Sequence, residues 1–176
     1  MQIHTHSNDI LSELRKTLEG VDERAAERLI EMTLSAKRVF VAGCGRSGLM
    51  ARAFAMRLMH MGLTAFVAGG VTSPAIGAGD LLLICSGSGE KKTLRFLIEG
   101  AARACAACAL VTSTVNSPAA RDAELVVLLP AGESRQFGGS LFEQALLLFL
   151  DGAVLEIIRQ LGISHDEMAG RHANLE

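Results

Sequence analysis

Two glycine- and serine-rich turns carry the strongest chemical signal in this 176-residue chain. The first is Gly43-Cys44-Gly45-Arg46-Ser47-Gly48, with GxGxxG spacing; the second is Ser86-Gly87-Ser88-Gly89-Glu90, directly after the apolar run 81–85. Glycine lets the backbone curl until several N–H groups point into one concavity, and serine hydroxyls add neutral donors, so each turn reads as an anion nest. A helix opening there adds the positive end of its dipole, so a phosphate can be held without any lysine. The alternative is a plain Gly/Ser surface turn. Both turns follow predicted strands, and parallel sheets bind ligands outside the carboxyl ends of their strands, which favours the nest.

The GxGxxG spacing also invites a dinucleotide reading, which needs an acidic residue about twenty positions on to hold the ribose. No Asp or Glu lies between Met32 and Gly79, and 64–79 has no Lys or Arg for a 2′-phosphate. There is no GxxxxGK[ST], no GxSxG and no HExxH, which removes the P-loop, the serine-hydrolase elbow and the zinc protease helix. Cys105 and Cys108 form a lone CxxC without a second pair or a nearby His, so all four cysteines, Cys44 and Cys85 included, are expected to be buried, unpaired thiols.

Glu143 stands three residues after Ser140, a spacing that fits a capping box as well as it fits a catalytic carboxylate. His60 ends a helical pattern, where a C-terminal dipole partner is the duller reading. His172 lies in a polar tail that would ordinarily fray. Arg46 reads equally as a sugar contact or a solvated turn residue.

The elements that must position these residues follow from periodicity. Ile10, Leu11, Leu14 and Leu18 repeat at helical spacing, and the pattern restarts after Gly20 with Asp22 as an N-cap, so 8–35 is a helical hairpin or one kinked helix. Short apolar strands are expected at 39–42, 64–67, 81–85, 107–112 and 125–129. Helices are expected at 47–61, about 90–104, 117–121 and 140–161. Such alternation implies an α/β domain, a parallel sheet covered on both faces. The helix over 140–161 is apolar nearly all round, which predicts that a partner subunit covers one side. The polar stretch 130–139 is a loop, and the whole chain is one domain.

With 49% hydrophobic residues the chain has material for a core, while a net charge of -2 and the absence of Trp and Tyr argue against nucleic acid. Its N-terminal residues have no secretion-signal pattern, and no apolar run is long enough for a membrane span, which points to the cytoplasm.

These motifs together have a familiar look. The segments G-C-G-R-S-G, S-G-S-G-E and F-E-Q at 142–144 resemble the SIS, or sugar isomerase, domain. A-F-A-M-R-L-M-H at 53–60, G-D-L-L at 79–82, G-S-L-F-E-Q at 139–144 and R-H-A-N-L-E at 171–176 are similar to the 6-phospho-3-hexuloisomerase family. The resemblance implies a five-stranded parallel sheet in a homotetramer, with an N-terminal helical segment 8–35 and a C-terminal tail 163–176. It implies a cofactor-independent interconversion of 3-hexulose 6-phosphate and fructose 6-phosphate, with no metal, in the ribulose monophosphate route of formaldehyde fixation. Coupling to a 3-hexulose-6-phosphate synthase is implied too. By the resemblance Ser47, Ser86 and Ser88, with Gly45, Arg46 and Gly87 around them, hold the phosphate or nearby hydroxyls. Glu143 matches the family's base, and His60 and His172 match a second proton-handling group. Sugar isomerase domains commonly read S-x-S-G-x-T. Here Lys91 takes the last place, so Lys91 as a cation, Thr93 or the backbone must supply that contact.

Moving a carbonyl from C3 to C2 takes a proton from C2 and returns it at C3 through an enediol, so one base serves both carbons. A carboxylate enclosed by Leu141, Phe142 and Phe137 suits that task, and histidine suits ring opening. Another isomerase of the same fold, or a non-catalytic sugar-phosphate sensor, is the alternative expectation.

Overall fold

The computed structural model describes residues 2–175; Met1 and Glu176, the last residue of the 171–176 motif, lie outside the described residues. Two helices open the chain, α1 Ile3–Glu19 and α2 Glu23–Ser35, followed by β1 Val39–Gly43, α3 Gly45–His60 and β2 Ala65–Val67. Then come β3 Leu81–Cys85, α4 Lys92–Arg103, β4 Ala107–Thr112, α5 Pro118–Asp122, β5 Leu125–Leu128, α6 Ser140–Leu161 and α7 His165–Gly170. All strand pairs are parallel in the order β2-β1-β3-β4-β5, so the α/β expectation of a five-stranded parallel sheet is met.

Each face of the sheet has its own core. Val39, Val41, Leu81, Leu83 and Val111 point toward α2, α3 and α6, while Phe40, Leu82, Ile84 and Leu110 point toward α4 and α5. That alternation, with both sets buried, is why these strands read as unbroken apolar runs. Among the described residues no helix is long and apolar enough to cross a membrane.

Several boundaries differ from the sequence reading. The first helix begins at Ile3 rather than at 8, because the polar residues before the apolar repeat contain no Gly or Pro to stop helix propagation. Gly20 separates it from α2, and the Asp22 carboxylate accepts the Arg24 backbone N–H at 3.0 Å, as an N-cap should. Helix α3 begins at Gly45, which puts Gly45, Arg46 and Ser47 in its first turn; α4 begins at Lys92, with Lys91 at the N-cap. Helix α6 has the expected bounds, yet it is not buried all round in a single chain, since Leu148, Leu155 and Leu161 are exposed. The thiols split as well: Cys85 and Cys108 are buried, whereas Cys44 and Cys105 are exposed. Burial pushes the two buried thiols up to about 12.

Candidate active site

Gly43 pairs with Cys85, and Cys85 with Val111, so β1 and β3 end level, β4 ends one residue beyond, and their turns emerge side by side. The first turn is as tight as it is because a Cβ on Gly43 would lie 2.8 Å from the Gly48 backbone. The second is locked by α5. Gly89 has φ +63°, and a Cβ there would run into Ser117, the residue that caps α5. The Gly89 N–H donates to Ser86 Oγ at 3.1 Å, and Thr112 Oγ1 and Ser113 Oγ both donate to the Gly87 carbonyl at 2.9 Å. The curled backbone that the glycines promised is present.

Helices α3, α4 and α6 open at this edge with no side-chain cap, whereas α2, α5 and α7 are capped by Asp22, Ser117 and Ser164. Uncapped first turns leave N–H groups for a ligand, and their dipoles favour an anion. Ser47 and Ser86 are buried in the two turns, while Ser88 and Lys91 are exposed. A cavity of about 290 Å³ lies beside the second turn, lined by Gly87, Ser88, Ser113, Thr114, Gln136 and Phe142 among others. Sequence reasoning missed Ser113, Thr114 and Gln136. The first two follow the carboxyl end of β4 and so had a positional signal; Gln136 had none.

Glu143 lies in the first turn of α6 beside Gly139, a residue of the cavity wall. The N-cap is Gly139, not Ser140, so the capping box does not form. Ser140 Oγ instead donates to the Phe137 carbonyl at 2.8 Å and accepts Arg46 Nη2 at 3.1 Å. Arg46 Nη2 also sits 2.6 Å from Glu143 Oε2. No N–H is aligned on that oxygen, and Glu143 Oε2 is buried without a hydrogen-bond donor. Phe137 does not enclose the carboxylate. It is 93% exposed, and Arg46 takes that place.

The two histidines meet each other and not Glu143. Their rings stack 5.0 Å apart at 17°, in a groove of about 370 Å³ that Met56, Leu155 and Met168 also line. His60 ends α3, about 21 Å along that helix from Arg46 at 1.5 Å per residue. Helix α3 thus carries His60 to the amino ends of the strands, away from Arg46 and Glu143 at their carboxyl ends. The tail is not frayed either: α7 carries it back, Ser164 and Glu167 form a capping box, and Arg171 Nη1 donates to the His60 carbonyl at 3.1 Å. Burial first, then the neighbouring His172 and Arg57 charges, lowers the His60 pKa.

A family model described as SIS domain matches residues 32–149. Two curated relatives, each named 3-hexulose-6-phosphate isomerase, are similar along nearly the whole chain. The Bacillus subtilis (strain 168) protein is 40% identical over 180 residues, covering 96% of this chain and 96% of the relative. The Mycobacterium gastri protein is 42% identical over 175 residues, covering 95% and 88%. A crystal structure of a hypothetical protein from Methanococcus jannaschii, described as inferring a function of 3-hexulose-6-phosphate isomerase, matches with a TM-score of 0.86 at 33% identity. It covers 97% of this chain and 96% of that one.

Proposed function

The chain belongs to the SIS domain family, and on that premise we propose that it is a 3-hexulose-6-phosphate isomerase, interconverting that ketose with fructose 6-phosphate. The observation that carries the reading is Glu143, a carboxylate whose buried Oε2 is held by the half-exposed Arg46 guanidinium alone among the described residues, beside a cavity edged by the Gly/Ser turn. The phosphate binds the N–H groups and serines of the two turns, helped by three helix dipoles. Glu143 takes the proton from C2 as the C3 oxygen is protonated, giving the enediol; it then returns a proton at C3 while the C2 hydroxyl proton leaves. Arg46 leaves Glu143 for the substrate as the sugar enters, because a half-exposed guanidinium is held only weakly.

A site that used Glu143 together with His60 or His172 needs two chains. Support for this comes from the exposed Leu155 and Met56, which line the histidine groove and leave its rim apolar. The working form is then an oligomer, a tetramer in our reading. It acts in the cytoplasm, in the ribulose monophosphate route of formaldehyde fixation, after a 3-hexulose-6-phosphate synthase.

A panel of sugar phosphates in deuterated water, followed by NMR, tests the reading. Fructose 6-phosphate is expected to exchange its carbonyl between C2 and C3 and take up deuterium there. Exchange of arabinose 5-phosphate or sedoheptulose 7-phosphate instead would reassign the substrate, and no exchange with any member would leave a sensor.

A further inference from the structure

The cavity wall over 131–139 is held from outside the sheet, by the N-terminal helix. Glu13 of α1 spends both carboxylate oxygens on this one segment. Oε2 accepts Ser134 Oγ at 2.8 Å and Gln136 Nε2 at 3.1 Å, and Oε1 accepts the Arg135 backbone N–H at 3.2 Å. One turn earlier on the same helix, Asp9 pairs with Arg135 at 3.2 Å. At the other end of α1, Gly20 packs so closely on Pro130 that a Cβ would lie 2.7 Å from the proline ring. Helix α1 therefore touches the loop where it begins and where it lines the cavity. Its other hold is an apolar stripe on the core: Leu14 and Thr17 are buried, Ile10 and Leu18 are half-buried against the core, and Ile3 and Leu11 are exposed.

The hydrogen bonds also have a direction. A carboxylate only accepts, so Gln136 must turn its NH₂ to Glu13 and its carbonyl oxygen away. That oxygen accepts Gln144 Nε2 at 2.9 Å, so Gln144 must in turn spend its NH₂ there. Its own oxygen is left as a buried acceptor without a partner among the described residues, one position after Glu143. The ionised Glu13 thus sets the polarity of two amides, the first lining the cavity and the second on the helix that carries the base. Hydrogen bonds from Gln136, then Ser134 and the Arg135 backbone, hold the Glu13 carboxyl below the ordinary carboxylate range.

We infer that Glu13 is a positioning residue of the substrate pocket: through Ser134, Arg135 and Gln136 it holds the cavity wall and orients its amides for the sugar without touching it. The inference deepens the isomerase reading and rests on it for the substrate. Ser134→Ala removes one donor and keeps the carboxylate. Glu13→Gln keeps the size of the side chain but brings a donor, so the amide polarity is no longer set.

Two readouts on the full-length protein test this. In steady-state kinetics with fructose 6-phosphate, Glu13→Gln should raise KM about tenfold, the scale of one to two lost hydrogen bonds, while kcat stays within about twofold. In limited trypsin digestion, cleavage after Arg135 should rise selectively over cleavage at the other sites, and Ser134→Ala should move both readouts less in the same direction. An unchanged KM, unchanged cleavage at Arg135, or equally faster cleavage at every site would each overturn the positioning role. If neither parent nor variant turns over fructose 6-phosphate, the isomerase reading fails, and cleavage at Arg135 alone then decides whether Glu13 holds the wall.

Discussion

Glu143 and Arg46 form a pair with unequal exposure: the carboxylate side chain is 17% exposed and the guanidinium side chain 55%. Solvent screening on the arginine side keeps the contact within the about 0–1 kcal/mol of a surface ion pair, so a sugar phosphate can displace it at little cost. The oxygen beneath has no other donor to lose. Glu143→Gln preserves shape and removes the basic carboxylate. Turnover should fall about a hundredfold or more, the scale for losing a general base, while folding and fructose 6-phosphate affinity by calorimetric titration persist. Near-normal turnover would exclude Glu143 as the base. A loss of affinity equal to the loss of turnover would make it a binding residue instead.

Helix α7 and the tail are joined to α3 through the stacked His60 and His172 and the Arg171 bond to the His60 carbonyl. Burial lowers His60 from its ordinary 6.5, so below that value the unfolded chain binds more protons than the native one. The contribution of neutral His60 is complete above about 6.5 and is lost as pH falls from there toward and through the lowered native pKa. Asp80 is lowered chiefly by its hydrogen bond from Arg38, and Glu13 by its three donors. Their contributions are lost as pH falls from the ordinary carboxylate range downward, more acid than the histidine window. With no Trp or Tyr to follow, differential scanning calorimetry is the suitable probe. The wild-type midpoint should drop between about pH 7.5 and 5.5, and His60→Gln should flatten that drop. An equal drop in both proteins would place the sensitivity elsewhere.

For the whole molecule, the exposed apolar residues of α3 and α6 form the feature that a lone chain leaves unresolved. Leu49 is 54% exposed, Met56 51%, Leu148 45% and Leu155 67%. A second copy over this face would bury them and carry a histidine pair toward another chain's Glu143. Sedimentation should show an oligomer that Leu155→Glu together with Met56→Glu breaks into monomers. Chains with Glu143→Gln mixed with chains carrying His172→Gln should regain part of the activity each lacks, as sites with one intact copy of each residue re-form. A wild-type monomer at micromolar concentration would refute the interface, and no recovery on mixing would confine the site to one chain.

The elements were legible in the sequence because their signals are local. The run 81–85 is strand β3 residue for residue, and 140–161 is α6 with both ends as read, since an unbroken apolar run and a glycine past the last turn act within a few residues. The two glycine turns at the carboxyl ends of β1 and β3 were legible for the same reason. Even there the letters misplaced the cap of α6, where Ser140 fits the capping spacing but Gly139 takes the position and Ser140 serves Phe137 and Arg46. What only the tertiary structure decided is which side chains meet. Arg46 and Ser140 are 94 positions apart, Arg171 and His60 111, and Glu13 and Ser134 121. No periodicity encodes such pairs, because they depend on which face of the sheet each connection crosses and how the covering helices pack. The same packing parts His60 from Glu143, placing them at opposite ends of the strands. It also turns Glu13, one more polar residue on an amphipathic helix, into the anchor of the pocket wall.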